Sequence, residues 1–187
     1  LPANADLKVG DVLLTSGTVA SPSLTVDANS TLNVGGSVQV IRYAGIGSLV
    51  TNIGNNAVIN ATDLLLQGST DMAADALFIC NQNNSQAHFS GGLTIDPGGL
   101  QALQGGTADS LFVGGHFNNM RDETKFLDQG SVTVLNGTID QSITNAGGTE
   151  VFDHLWVDKP LGKVVLESPI RIRNVLNLTD GVVEDTL

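Results

Sequence analysis

The densest run of chemically capable side chains is His116, Arg121, Asp122, Glu123 and Lys125. One short stretch thus holds an imidazole, two carboxylates and two cations, the parts of a general acid, a general base and an anion clamp. Consecutive charges on an extended chain point in different directions, so the run reads more simply as a solvated excursion at a turn, a candidate ligand loop rather than a catalytic centre. Oxygen ligands for a hard cation gather at Asp71 and Asp75 and again at Asp27 and Asn29. No loop follows the EF-hand order of calcium ligands, and calcium is the minor reading there. His88, His116 and His154 stand far apart, without zinc spacing. The lone cysteine, Cys80, ends the apolar run Ala76-Leu77-Phe78-Ile79 and reads as a small buried hydrophobe that has no disulfide partner within the chain. No catalytic residue, cofactor or metal is expected.

Whatever positions these groups is built from strands. The chain is 41% hydrophobic and only 14% charged, a balance that buries a core rather than staying disordered. Its apolar residues are mostly Val, Leu and Ile set among Asn, Thr, Ser and Gly, which suits pleated strands and tight turns. Helical periodicity is confined to a short turn around Asp71 to Leu77. What recurs is an apolar-x-apolar unit followed by a turn residue, as in Leu24-Thr25-Val26, Leu32-Asn33-Val34, Val38-Gln39-Val40, Leu64-Leu65-Leu66, Leu93-Thr94-Ile95 and Val132-Thr133-Val134. Each is a short strand with two inward side chains.

The spacing of these units is regular at both ends. Val26, Leu32 and Val38 fall at steps of six, and so do Val164, Ile170, Leu176 and Val182, with Leu166, Ile172 and Leu178 beside them. Steps this short suit a solenoid whose turns stack and bury their inward residues better than a sandwich. Asn29, Asn33, Asn60, Asn118, Asn119, Asn136, Asn174 and Asn177 are expected at the bends, because Asn tolerates left-handed backbone angles. The pattern loosens at Asn81–Ser90 and at His116–Lys125, which are expected to loop out of the body. The fold class is therefore all-β: a single-stranded parallel β-helix, or β-solenoid, in one body over residues 1–187. The irregular insertions favour the right-handed form, although six-residue steps also suit a left-handed triangle.

Eight Lys and Arg against 19 Asp and Glu give a net charge of −11, which repels polyanions and excludes nucleic acid as a natural partner. No stretch approaches the ~18 apolar residues of a membrane span, so membrane insertion is not expected. The chain opens at Leu1-Pro2 and closes directly after a strand-like run, which reads as part of something longer. Aromatics for stacking on sugar rings are few: Trp156 and Tyr43, with Phe112, Phe117 and Phe152 expected to face inward.

The runs Leu111-Phe112-Val113-Gly114-Gly115-His116-Phe117-Asn118-Asn119, Gly130-Ser131-Val132-Thr133-Val134-Leu135-Asn136-Gly137, Phe152-Asp153-His154-Leu155-Trp156-Val157, Val164-Val165-Leu166 and Ile170-Arg171-Ile172-Arg173-Asn174-Val175-Leu176-Asn177-Leu178-Thr179-Asp180-Gly181 follow one another in a set order. Together they resemble the repeat region of large Bacteroidota cell-surface proteins. The resemblance covers roughly residues 107–183 and lies in hydrophobic spacing and turn residues. It implies export by the type IX route, a β-helical stalk or adhesive surface, and no catalytic residue to transfer. Asp153, His154 and the charges from Arg121 to Lys125 depart from the pattern. The expected function is an extracellular structural or adhesive segment whose partners are a surface glycan or neighbouring segments of the same protein. The alternatives are a carbohydrate-binding module and a polysaccharide-degrading β-helix enzyme.

Overall fold

An apolar-x-apolar unit buries both apolar side chains only if something covers them from within, and here each unit is one side of a coil. The structure is a computed structural model that describes residues 2, 4–16, 23–42, 47–67, 74–80, 83–96, 100–105 and 109–186. The strands are β1 (Asp6–Val9), β2 (Val12–Ser16), β3 (Ser23–Val26), β4 (Thr31–Val34), β5 (Val38–Arg42), β6 (Gly47–Ile53), β7 (Val58–Ala61), β8 (Leu64–Gln67), β9 (Ala74–Cys80) and β10 (Gln86–Phe89). They continue as β11 (Leu93–Ile95), β12 (Leu100–Gly105), β13 (Ser110–Val113), β14 (Phe117–Asn119), β15 (Phe126–Leu127), β16 (Val132–Leu135), β17 (Gln141–Asn145), β18 (Glu150–Leu166) and β19 (Ile170–Asp185).

Neighbouring strands pair in parallel, in the orders β1-β4-β7-β10-β13-β16-β18, β2-β5-β8-β11-β14-β17-β18 and β3-β6-β9-β12-β15. Strands three apart in sequence therefore stack as the three sides of a parallel β-solenoid, whose first five coils carry three strands each. The long strands β18 and β19 each wrap round more than one side and close the stack.

The six-residue step is the distance from one side to the next. Val26, Leu32 and Val38 lie on β3, β4 and β5 and are buried. In the last coil Ile170 and Ile172 pack on the core, and Leu176 and Leu178 pair with Leu155 and Val157. Leu176 and Leu178 are nevertheless 48% and 53% exposed, because no described coil lies on them. The step fails at Val182, which is 61% exposed. A register shift before Lys163 aligns Val183 instead with the buried Val164.

Four other expectations are corrected. The helical turn at 71–77 is strand β9 where it is described, from Ala74 onward. The stretch Asn81–Ser90 contains β10, in register with β7 and β13, and His116–Lys125 contains β14, so neither leaves the body as a whole. Among the Asn bends, only Asn29 adopts a left-handed angle. Its companions there are Asn4, Asn56 and Asn84, at φ 60°, 52° and 56°, while Asn33, Asn60, Asn118, Asn119, Asn174 and Asn177 lie within strands. Phe117 and Phe152 are buried as expected, but Phe112 is half-buried between the inward residues Leu111 and Val113 and points outward.

Candidate functional site

The expected ligand loop is divided between two corners of the coil. His116 turns the chain from β13 into β14, and its Nδ1 accepts the backbone N–H of Ser142 at 3.0 Å and meets Ser142 Oγ at 2.9 Å. Asp11 and Asp63 do the same in earlier coils, accepting from Ser37 N at 2.9 Å and Gly92 N at 2.6 Å. His116 thus ties one coil to the next.

Arg121, Asp122, Glu123 and Lys125 form the following turn. Asp122 accepts the backbone N–H of Thr124 at 2.9 Å and the Thr124 hydroxyl. The hydroxyl bond above all holds its carboxyl below the usual range, helped by Lys125 and Arg121 and opposed by burial. Lys125 N donates to Asp122 O and Arg121 N to Asn119 Oδ1, both at 3.0 Å, and Glu123 is exposed. The turn is organised for its own backbone, and Arg121, Asp122 and Lys125 are half-buried in it. Asp71 and Tyr43 lie outside the described residues. Among the described residues, no three His, Cys, Asp or Glu side chains gather closely enough to hold a metal ion.

Buried polar groups concentrate in the later coils. Glu150 is fully buried and accepts from Asn119 Nδ2 at 2.8 Å, Asn145 Nδ2 at 3.0 Å and Val151 N at 3.1 Å. Burial outweighs these three donors and pushes its carboxyl up to about 7. Asp128 accepts from Ser131 Oγ and, at 2.7 Å, from Asp153 N, and burial raises it to about 6. Asp153 accepts from Gly130 N and faces Arg173 at 3.5 Å. Lys159 is 1% exposed, and its ammonium donates to Gly137 O, Ile139 O and Gln141 Oε1 at 2.7–2.8 Å; burial lowers its pKa. Cys80 is buried beside Ser85 Oγ at 3.2 Å, and its thiol is pushed up to about 12, which leaves it unreactive at neutral pH. Each of these groups bonds to the chain itself.

What the sequence reading missed lies on the outer face of the first side. The middle residues of its units stack coil on coil as Lys8, Asn33, Asn60, His88, Phe112, Val134 and Trp156. Asn60 Nδ2 donates to Asn33 Oδ1 at 2.8 Å and Asn33 Nδ2 to Asp6 Oδ1 at 3.0 Å. The His88 and Phe112 rings stack at 4.1 Å, inclined by 4°, and burial lowers the His88 pKa. A groove of about 550 Å³ runs beside this column, and a second space of about 370 Å³ shares Ser90 and Asn136 with it. The signal was present in the x position of units such as Leu32-Asn33-Val34, whereas Val132-Thr133-Val134 is corrected by one residue, with Thr133 in the inward column and Val134 in the outer one. The line emerges only when the coils are set in register.

No family model matches this sequence, and neither the curated proteins nor the solved structures contain a match to it. The fold defines the class, a parallel β-solenoid, and the functional reading rests on the chain's own residues.

Proposed function

We propose that this chain is an extracellular structural and adhesive segment of a bacterial surface protein of the Bacteroidota exported kind, without catalysis of its own. The observation that carries the reading is the pair of inward columns beneath the first side. One passes through Leu32, Ile59, Ala87, Leu111, Thr133 and Leu155, the other through Val34, Ala61, Phe89, Val113, Leu135 and Val157. Stacked layers of this kind make an elongated body stiffened by backbone hydrogen bonds along its axis. The buried carboxylates support the reading, since Glu150 and Asp128 are engaged by amides, a hydroxyl and backbone N–H groups of the chain rather than aimed into a cleft.

Two measurements test it. Antibody to the chain is expected to label intact producing cells, and neutral and acidic polysaccharides incubated with the protein are expected to show no new reducing ends and no unsaturated products. Label that appears only after lysis overturns the extracellular reading. Product formation overturns the non-catalytic one.

A further inference from the structure

We propose that the groove along the outer face of the first side binds a linear, uncharged polysaccharide lying parallel to the solenoid axis. The inference deepens the adhesive reading and rests on it.

Three observations select the ligand. The groove is long rather than deep: its lining runs from Lys8 in the first coil to Asn136 in the sixth, and at the ~4.8 Å strand spacing five steps span roughly 24 Å. That suits several residues of a chain molecule rather than one compact ligand. The second space, which adjoins it at Ser90 and Asn136, is floored by bare backbone at the glycine corner, where coils approach too closely for side chains. A Cβ on Gly114 would lie 2.2 Å from Ser90 O, and one on Gly137 would lie 1.8 Å from Gly114 O. The groove's wall changes character along its length, from the amides of Asn33 and Asn60 to the stacked pair His88 and Phe112. Amides take hydroxyl groups, and aromatic rings take the C–H surfaces of sugars. Trp156, 39% exposed in the same column two coils beyond Phe112, extends that surface past the groove.

The competing ligands fit less well. A peptide bound as an added strand needs a free sheet edge, whereas the strands lining this face are paired on both sides except the terminal β1, whose edge lies at the end of the stack and not along the groove. A polyanion meets a chain of net charge −11, against which the groove sets Lys8 beside a His88 whose pKa burial lowers. An uncharged glycan pays neither cost.

The test is calorimetric titration of the whole chain with cellohexaose, laminarihexaose, mannohexaose and xylohexaose. At least one is expected to bind, with tenfold or greater loss of affinity in Phe112→Ala and in Asn60→Ala. Thr94→Ala and Asn118→Ala, on the outer face of the second side, are expected to bind as the parent does. Because a variant can disturb its neighbours, side-chain amide NMR signals of Asn33, Asn60 and Asn136 are followed in the parent protein and are expected to shift on saturation. No binding of any of the four, or binding without those shifts, overturns the groove and leaves the surface-rod reading standing, since cell labelling decides that separately. Amide shifts accompanied by cleavage of the oligosaccharide support the groove and overturn the non-catalytic reading.

Discussion

The early coils and the later ones solve the same stacking problem with different chemistry. From β3 to β11 the described interior is Val, Ile, Leu, Ala, Phe and Cys, and its buried polar residues are Ser30 and Ser85. From Asp109 to Ser168 the interior also holds Asn119, Asp128, Gln141, Asn145, Glu150, Asp153 and Lys159. The coil shortens over the same interval. Thr31 pairs with Val58 and Val58 with Gln86, a period of 27 and then 28 residues, whereas Ser110 pairs with Val132 and Val132 with His154, a period of 22. The lost residues come from the third side, where β15 is two residues long and ends the sheet. Without a strand there, backbone groups of the tightened corners lose their ladder partners, and buried side chains must satisfy them. The difference teaches that a long coil is held by apolar stacking and a short one needs internal polar ties.

The largest effect expected from a single change lies in the apolar half. Phe89 is 1% exposed and meets Phe78 edge-on at 5.8 Å. Phe89→Ala removes that contact and opens a cavity in a layer with no room to collapse, at a cost of about 3–5 kcal/mol. Urea unfolding at pH 5 and at pH 8 should give the same loss, because the described core cluster around Phe89 is apolar apart from Cys80, whose thiol is pushed up to about 12. A loss that depended on pH would break the distinction between the two halves.

The polar half should respond to pH where the apolar half does not. Glu150 and Asp128 are raised from 4.5 to about 7 and from 3.8 to about 6, so each holds its proton more tightly in the folded protein than in the unfolded one. Their contribution to stability is full below pH ~4 and is lost as pH rises through about 6 and 7. For Glu150 the shift corresponds to about 3 kcal/mol. Denaturation midpoints followed from pH 4.5 to 8 should fall for the chain as a whole, and hydrogen exchange should place the opening in coils after β13. Uniform loosening of all coils would show that the polar ties are not local.

The sequence shows the stacking plainly and the ties hardly at all. Six-residue steps locate Val26, Leu32 and Val38 on successive sides because apolar side chains announce burial by type. Nothing in the sequence marks Glu150 and Lys159 as buried, since their partners Asn119, Asn145, Gly137 and Gln141 meet them only in the folded coil. The stretches misread as loops fail for a related reason. In β10 the inward residues are Ala87 and Phe89 between Gln86 and His88, and in β14 Asn119 takes an inward place. A small or polar residue at an inward position erases the alternation by which a strand is recognised. Phe112 was placed inward for the opposite reason, an aromatic standing where alternation puts an outward residue. The proposed groove was hidden with it.

Lys159 isolates one of those ties. Its ammonium serves two carbonyls and the Gln141 side chain, which in turn donates to Val113 O at 2.8 Å and to Gly115 O. Lys159→Met keeps the length of the stem and removes the donors, leaving buried acceptors unpaired, and should cost about 1–3 kcal/mol. Exchange of amides in β16 and β17 should quicken while those in β4 and β7 stay as they were. Equal quickening at both ends would mean that the stack responds as one unit and that its halves are not separately held.

A smaller effect is expected where the early coils do use polar chemistry, at the asparagine corner. Asn56 Nδ2 donates to Asn29 Oδ1 at 3.1 Å, and Asn84 Nδ2 donates to Asn56 Oδ1 at 3.2 Å, with all three residues at left-handed φ. Asn56→Ala loses both exposed amide bonds and places a methyl-bearing residue in a conformation that costs it about 1–2 kcal/mol. Asn56→Gly loses the same bonds but adopts the angle freely. If left-handed geometry is what Asn supplies there, the glycine variant should recover most of the stability that the alanine variant loses in thermal unfolding. Equal losses in the two would assign the corner to the amide ladder instead, and would make it a polar tie of the kind that marks the later coils.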